Sequence, residues 1–445
     1  MPRVLLLIPT TTYRTDAFVG AATRLGVDVT VASEQPNTLT RLNPAGLLTL
    51  DFKDPHDAAQ RVVEFSTSYP IDAVVPVDSQ VVVVGAAISA ALGLRHNSIK
   101  SVTAAQDKHR MRQRFKQASV PSPQFTLCSL DEDRTALAHR VDFPCVVKPL
   151  LLAASQGVIR ADDQRQFIRA VNRLEAILKR EHGMPTTSKT SGNAGAQSKV
   201  RPSVSSKQFL VEQFVSGPEV ALEGMLTRGE LHVLALFDKP DPLNGPFFEE
   251  TIYVTPSRLP AEIQDKIAKC AEQAAQALGL TEGPIHAELR LAKYGPSVIE
   301  VNARSIGGFC SRVLRFGTGM PLEELIICHA LEEDFELPER QSRTTGVMMI
   351  PTASAGRLIE IRGLNEAKAV SGIEDVTISA HLGQRLVPLP EGSRYLGFIF
   401  AQAESPETVE GALRESHDRL EFVIEPSVDR KDDYASLSER STEAV

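Results

Sequence analysis

The hydrophobic pattern changes period along the chain, and each change marks an element. An apolar run over residues 4–9, VLLLIP, predicts a buried first strand, followed by a polar turn, a helix to Leu25 and a short strand over 28–31. This is a βαβ opening. Another buried strand over 71–77 precedes a helix over 81–92, so the first hundred residues read as a small α/β layer domain. The turn after the first strand, Thr10 to Tyr13, has no glycine, so the dinucleotide fingerprint is absent.

A helix opens at Asp107-Lys108 and runs to about Ser119, after which Val120-Pro121-Ser122-Pro123 must be extended. An apolar strand then ends in Lys148, ahead of a small-residue turn over 151–158 that holds Ser155 and Gly157. Residues 162–180 place Phe167, Val171, Leu174 and Leu178 at helical spacing, a stripe that reads as core. From 183 to 207 the chain is rich in Ser, Thr, Gly and Lys without an apolar period, which predicts a disordered insertion. A strand over 208–215 follows, then a helix over 261–278 stopped by Gly279. A further helix is predicted over 321–331. The region 345–425 alternates strand-like runs (346–350, 395–401) with one helix, which begins at Ser405-Pro406. The last twenty residues are polar and read as a frayed tail.

The stretch with the most legible chemistry runs from Ile285 to Gly308. Alternation puts His286, Glu288 and Arg290 on one face of its first limb, and Val298, Glu300, Asn302 and Arg304 on one face of its second. Lys293-Tyr294-Gly295-Pro296 supplies the turn of an antiparallel hairpin. A register centred on Tyr294 sets Glu288 opposite Glu300 and His286 opposite Asn302, with Cβ atoms roughly 5 Å apart. Opposed carboxylates repel unless a cation sits between them, and these oxygen ligands suit Mg²⁺ or Mn²⁺. Arg304 would bring a planar fork suited to phosphate or carboxylate to the same place. Taken alone, the pattern serves almost equally well as the solvated face of an amphipathic hairpin.

Other segments offer matching pieces. Lys108 at a helix start and Lys148 at a strand end can clamp a polyphosphate, although lysines are commonly plain surface charges. The strand end Glu212, Gln213, Phe214, Val215 can offer backbone groups to an adenine edge, and Glu219 can accept from ribose hydroxyls.

Composition narrows the class. At 445 residues the chain calls for about three domains. Apolar content of 42% and charged content of 23% are those of a soluble globular protein. A net charge of −8 without a basic run excludes nucleic acid as the main partner. No apolar run reaches membrane-spanning length, and the N-terminal run is too short for a signal peptide. Five scattered cysteines without a CxxC argue for reduced thiols in the cytoplasm and against structural zinc.

With Lys108, Lys148, Glu212 to Val215, Glu219, Glu288, Glu300, Asn302 and Arg304 in this order, the chain resembles the ATP-grasp superfamily over roughly residues 1–425. Within it the chain looks most like carboxylate-amine ligases of the L-amino acid ligase (dipeptide synthetase) type. That finer likeness rests on Phe248-Glu249-Glu250-Thr251 with Pro256-Ser257, on the run Gly283 to Glu288, and on the region from Gly356 to Leu364.

The resemblance implies a multidomain α/β and α+β architecture, the ATP-grasp fold. A Rossmann-like pre-ATP-grasp domain would span 1–105 and the ATP-grasp domain 106–340, its lid at about 145–215 carrying the 183–207 insertion. A C-terminal α+β domain would span 341–428, with a flexible tail over 429–445. It implies Lys108 and Lys148 on nucleotide phosphates, residues 151–158 with Ser155 and Gly157 as the closing phosphate loop, Glu212 to Val215 on adenine and Glu219 on ribose. Glu288, Glu300 and Asn302 match metal ligands, Arg304 the arginine that steadies the transferred phosphate, and His286 and Glu250 contacts to the acyl substrate or its amine. The expected activity is ADP-forming ligation of small carboxylates and amines through an acylphosphate, with ATP and Mg²⁺ or Mn²⁺, in a possible homodimer. Two alternatives are a biotin-carboxylase-like enzyme, for which no Met-Lys-Met attachment site is found, and a non-catalytic nucleotide-binding regulator. One departure stands out: the phosphate loop Ala153-Ala154-Ser155-Gln156-Gly157 is poor in glycine, which predicts stiffer closure or fewer backbone contacts.

Overall fold

The computed structural model of the chain describes residues 1–181, 207–332 and 336–426. The expected insertion over 183–207 lies outside them except for Lys207, and so does the expected tail over 429–445.

The first strand, Arg3–Leu7, lies parallel between Asp28–Ser33 and Ala73–Pro76, with Leu47–Thr49 completing a four-stranded sheet. Its near-continuous apolar run is what a strand covered on both faces requires. Leu5 and Leu7 enter a core with Val62 and Ile88, while Val4 and Leu6 enter one that also holds Phe237, Tyr253 and Phe400. The N-terminal layer therefore shares its core with the central sheet.

That central sheet has eight antiparallel strands, in the order Gly295–Asn302, Gly283–Ala292, Glu219–Thr227, Glu230–Lys239, Ile252–Thr255, Thr344–Ile350, Gly397–Ala403, Ile373–Ile378. Alternation sends Val220, Leu222, Ala287 and Leu289 beneath the helices Lys108–Gln117 and Ala261–Leu278, and Ala221, Met225 and Phe237 to the opposite face. The sheet continues across the boundary expected between residues 340 and 341, where a separate C-terminal domain was to begin. The strands Ile252–Thr255 and Thr344–Ile350 are paired in register, so the last three strands complete the same sheet. The C-terminal region adds a small sheet of its own (Arg385–Leu386, Gly356–Arg362, Glu421–Glu425) and a second helix, Leu364–Lys368, too short to show a period.

A further four-stranded sheet orders Phe125–Ser129, Gln208–Gln213, Cys145–Pro149 and Ile159–Ala161, covered by the helix Gln164–Glu181 through Phe167, Val171 and Leu174. Phe125–Ser129 pairs with Gln208–Gln213 along its whole length, so this lid-like layer starts well before residue 145. Among the described residues, no helix is long and apolar enough to cross a membrane.

Candidate functional site

The hairpin Gly283–Ala292/Gly295–Asn302 pairs Glu288 with Glu300 and His286 with Asn302. Between them and the turn the register slips: Leu289 pairs with Val298, leaving Ile299 as the extra residue of a β-bulge. The slip reverses the alternation. Val298, expected on the Glu300 face, is fully buried under the helix Ala261–Leu278, while Ile299 joins Glu300 in lining a cavity. The bulge is held by Arg112, whose Nη2 donates to Ile299 O at 2.6 Å, and by Val298 N donating to Pro121 O at 2.8 Å.

This cavity encloses about 670 Å³ where the lid-like sheet faces the central sheet. Its walls bring together, from segments far apart in sequence, Lys108, Lys148, Ser155, Glu212 to Val215, Glu219, Glu250, Glu288 and Glu300. Gly157, His286, Asn302 and Arg304 are not among the lining residues. Arg304 differs from expectation because the strand ends at Asn302, after which alternation no longer aims the side chain. Its Nε donates to Ser79 Oγ at 2.6 Å and its Nη1 to Ser305 O at 2.8 Å, turning it towards the N-terminal layer. His286, expected to touch substrate, sits behind Glu288: it is 4% exposed, with Nε2 3.4 Å from Glu288 Oε1 and Nδ1 3.5 Å from Glu223 Oε2. Burial works against its charge, but the two carboxylates outweigh that and raise its pKa.

Lys108 begins a helix capped by Asp107, which fixes the direction of its side chain. Its Nζ donates to Leu152 O at 2.8 Å and lies 3.7 Å from Glu300 Oε1. Lys148 Nζ lies 2.7 Å from Glu212 Oε2. Arg112 Nε approaches the other oxygen at 2.8 Å without directing its N–H at it, so this contact is charge alone. Burial pushes the Glu212 carboxyl up, yet Arg112 and Lys148 together hold it below the ordinary carboxylate value. The Glu212 side chain is thus committed to the two cations. What it leaves to a ligand is the wall formed by 212–215.

Lys239, which the sequence reading did not single out, occupies the centre of the carboxylates. Its Nζ lies 2.8 Å from Glu219, 2.5 Å from Glu250 and 3.4 Å from Glu288. Burial lowers its pKa, but those three carboxylates raise it further, so the ammonium stays charged. Glu219, expected to accept from ribose, also binds Arg290 Nε at 2.8 Å. Burial raises Glu250 to about 7, opposed by Lys239 and reinforced by Glu288 and Glu219. Glu288 moves the other way, held well below the usual range by Lys239 and His286 in spite of burial. The signal for Lys239 was present: like Lys148, it is a lysine closing an apolar strand.

The glycine-poor loop places residues other than glycine in left-handed backbone. Ala154 and Ser155 both adopt left-handed backbone, at φ 51° and 55°, a conformation that costs roughly 1–2 kcal/mol per residue. Gly157 is left-handed too, and a Cβ there would meet Leu174 Cδ1 at 3.0 Å. The loop is tied to the C-terminal region: Gly157 N donates to Pro390 O, and Gln156 Nε2 to Glu391 O, both at 2.9 Å. Behind it Arg173 forms a two-bond ion pair with Glu391.

Three segments of the chain match known families. Residues 141–313 match the family described as ATP-grasp domain, 19–96 the ATP-grasp N-terminal domain, and 348–425 the L-amino acid ligase C-terminal domain 2. Residues 141–313 therefore carry an ATP-grasp domain, preceded by an ATP-grasp N-terminal domain. The ATP-grasp fold is shared with the crystal structure of an L-amino acid ligase from Bacillus licheniformis, at 26% identity and a TM-score of 0.74, covering 96% of this chain and 99% of that one. Alanine–anticapsin ligase of Bacillus subtilis is 26% identical over 64% of this chain and 60% of its own length. An uncharacterized protein, y4rH, of Sinorhizobium fredii is 26% identical over 75% of this chain and 64% of its own. The match thus spans less than two thirds of these curated relatives.

Proposed function

We propose that this chain is an ADP-forming carboxylate-amine ligase that joins small carboxylates, amino acids among them, to an amine through an acylphosphate. The observation that carries this reading is the single cavity in which Lys108, Lys148, Glu288 and Glu300 face the 151–158 loop.

The residues fit a divalent cation. Glu288 and Glu300 oppose each other across the hairpin, Asn302 follows one strand step on, and all three offer hard oxygen donors. Glu219, Glu250 and Glu288 also bring carboxylate oxygens within 4.8 Å of one another, but Lys239 already neutralises that inner group. The Glu288–Glu300 side is therefore where Mg²⁺ or Mn²⁺ is best held, and when bound it supplies neutralisation of phosphate charge.

The chain's own groups do the rest. Lys108 and Lys148 hold phosphate oxygens, and the 151–158 loop closes over them and excludes water. The γ-phosphorus forms a bond to a substrate carboxylate oxygen as its bond to ADP breaks. The amine nitrogen then attacks the acyl carbon, and the bond to phosphate breaks. Lys239 keeps Glu219, Glu250 and Glu288 packed without mutual repulsion, and Glu250 presents an acidic wall to the amine. No protein nucleophile is required. Cys310, beside the glycine pair, is buried, and burial drives its thiol far up.

The test is ADP release with Mg²⁺ and ATP against a panel of paired amino acids and small carboxylates, comparing wild type with Glu300→Ala. Stimulation by particular pairs, lost in the variant, is expected. Nucleotide binding without stimulation by any pair would overturn the ligase reading in favour of a nucleotide-binding regulator.

A further inference from the structure

A second concavity collects guanidinium groups that the ligase reading leaves unused. Its walls are Arg312 and Val313, Arg315, residues of the segment 340–345, and Glu374 and Gln402 from the far end of the central sheet. It encloses about 620 Å³ and shares no lining residue with the nucleotide cavity. Arg312, Arg315, Arg340 and Arg343 meet a single lining carboxylate, Glu374.

Paired backbone presents these side chains. Gln341 N donates to Arg315 O and Gly317 N to Glu339 O, both at 2.8 Å, with Phe316 bridged to Arg340 between them. On the other side Thr345 Oγ1 donates to Val313 O at 3.1 Å, and Thr345 pairs with Gln402 in the sheet. Three of the guanidinium groups spend their bonds on neutral acceptors. Arg315 Nη1 donates to the carbonyls of Arg312 and Leu314, Arg340 Nη1 to Arg343 O, and Arg343 Nη1 to Gln402 Oε1. Among the described residues, none of these three has a carboxylate within ion-pair distance; Arg312 alone has one, Asp375 at 3.0 Å. Arg340 is half-buried, and desolvation lowers its pKa.

Several cations held on a rigid frame around one concavity repel each other and focus a positive potential into it. Planar forks in such a setting match the oxygens of phosphate groups, and the space suits a small molecule rather than a flat surface contact. We infer that this concavity binds a small, multiply charged anion of the phosphate type, at a site separate from the nucleotide cavity.

The test is calorimetric titration of the full chain with inorganic tripolyphosphate at physiological salt, the nucleotide cavity having been saturated with Mg²⁺ and a non-hydrolysable ATP analogue. Saturable binding of one tripolyphosphate per chain is expected, weakened by at least roughly tenfold in the Arg340→Gln, Arg343→Gln double variant with nucleotide affinity unchanged. Arg343→Glu, at an exposed position, serves if the double variant does not fold, and is expected to weaken binding likewise. Titration with citrate distinguishes the anion class. Binding abolished by the ATP analogue, binding unchanged in the variants, or citrate bound as tightly as tripolyphosphate would each overturn the assignment.

Discussion

Arg173, on the helix covering the lid-like sheet, grips Glu391 of the C-terminal region, with Nε and Nη2 at 2.6 and 2.8 Å from its two carboxylate oxygens. Glu391 is nearly buried, and its backbone carbonyl also accepts from Gln156 in the 151–158 loop. Glu391→Ala is expected to loosen the loop. A charged hydrogen-bond pair of this kind contributes about 1–2 kcal/mol, a shift of roughly 5- to 30-fold in the closed fraction. Faster hydrogen exchange over 151–158 together with a raised KM for ATP is the expected outcome; unchanged exchange would show that the loop closes without this tie.

Lys239→Met removes the one cation shared by Glu219, Glu250 and Glu288. Glu219 keeps Arg290 and Glu288 keeps His286, but Glu250 loses its cation; leaving such a carboxylate uncompensated costs about 3–5 kcal/mol, so a marked fall in melting temperature is expected along with loss of ADP release. Adding Glu250→Gln should recover part of the stability without restoring turnover. Thermal unfolding of the single and double variants checks the coupling.

On the proposed reading, Glu300→Ala and Asn302→Ala separate two contributions to cation binding. Glu300 lines the cavity and Asn302 does not, so Mg²⁺ titration of nucleotide binding should show the larger loss for Glu300→Ala, at least about tenfold. An equal or larger loss for Asn302→Ala would move the cation along the strand.

His329 gives the N-terminal layer's contact a pH dependence. It is 4% exposed, with Nε2 3.0 Å from Thr227 Oγ1; burial, helped by Arg95 and His232, lowers its pKa to about 4. A depressed histidine pKa means the unfolded chain binds the extra proton first. Its contribution is therefore present above pH about 6.5 and is lost as pH falls towards 4, at up to about 1.4 kcal/mol per pH unit. In melting curves at a series of pH values, the fall in wild-type stability below pH about 6.5 should be shallower in His329→Gln.

The elements were legible where one period dominates. The hairpin's paired carboxylates follow from alternation alone, and the helix Ala261–Leu278 from its apolar spacing and Gly279. The bulge was not legible, because Val298 and Ile299 are both apolar and a slip between them leaves the pattern unchanged. Lys239 escaped because its three partners come from three separate segments, which no local window contains. Arg304 was aimed by extending a strand that in fact ends two residues earlier. The continuity of the central sheet past residue 340 depends on a long-range pairing, of Ile252–Thr255 with Thr344–Ile350, that neither segment announces by itself.

That pairing sets how the protein can be divided. A chain cut after residue 340 would bare Ile252, Tyr253 and Val254, all buried in the intact fold, and would leave the backbone of that strand without its partner. An exposed apolar edge of this kind recruits other copies. Exchanging C-terminal regions between relatives would therefore yield aggregates unless the graft begins before Ile252 and carries both sides of the ladder together.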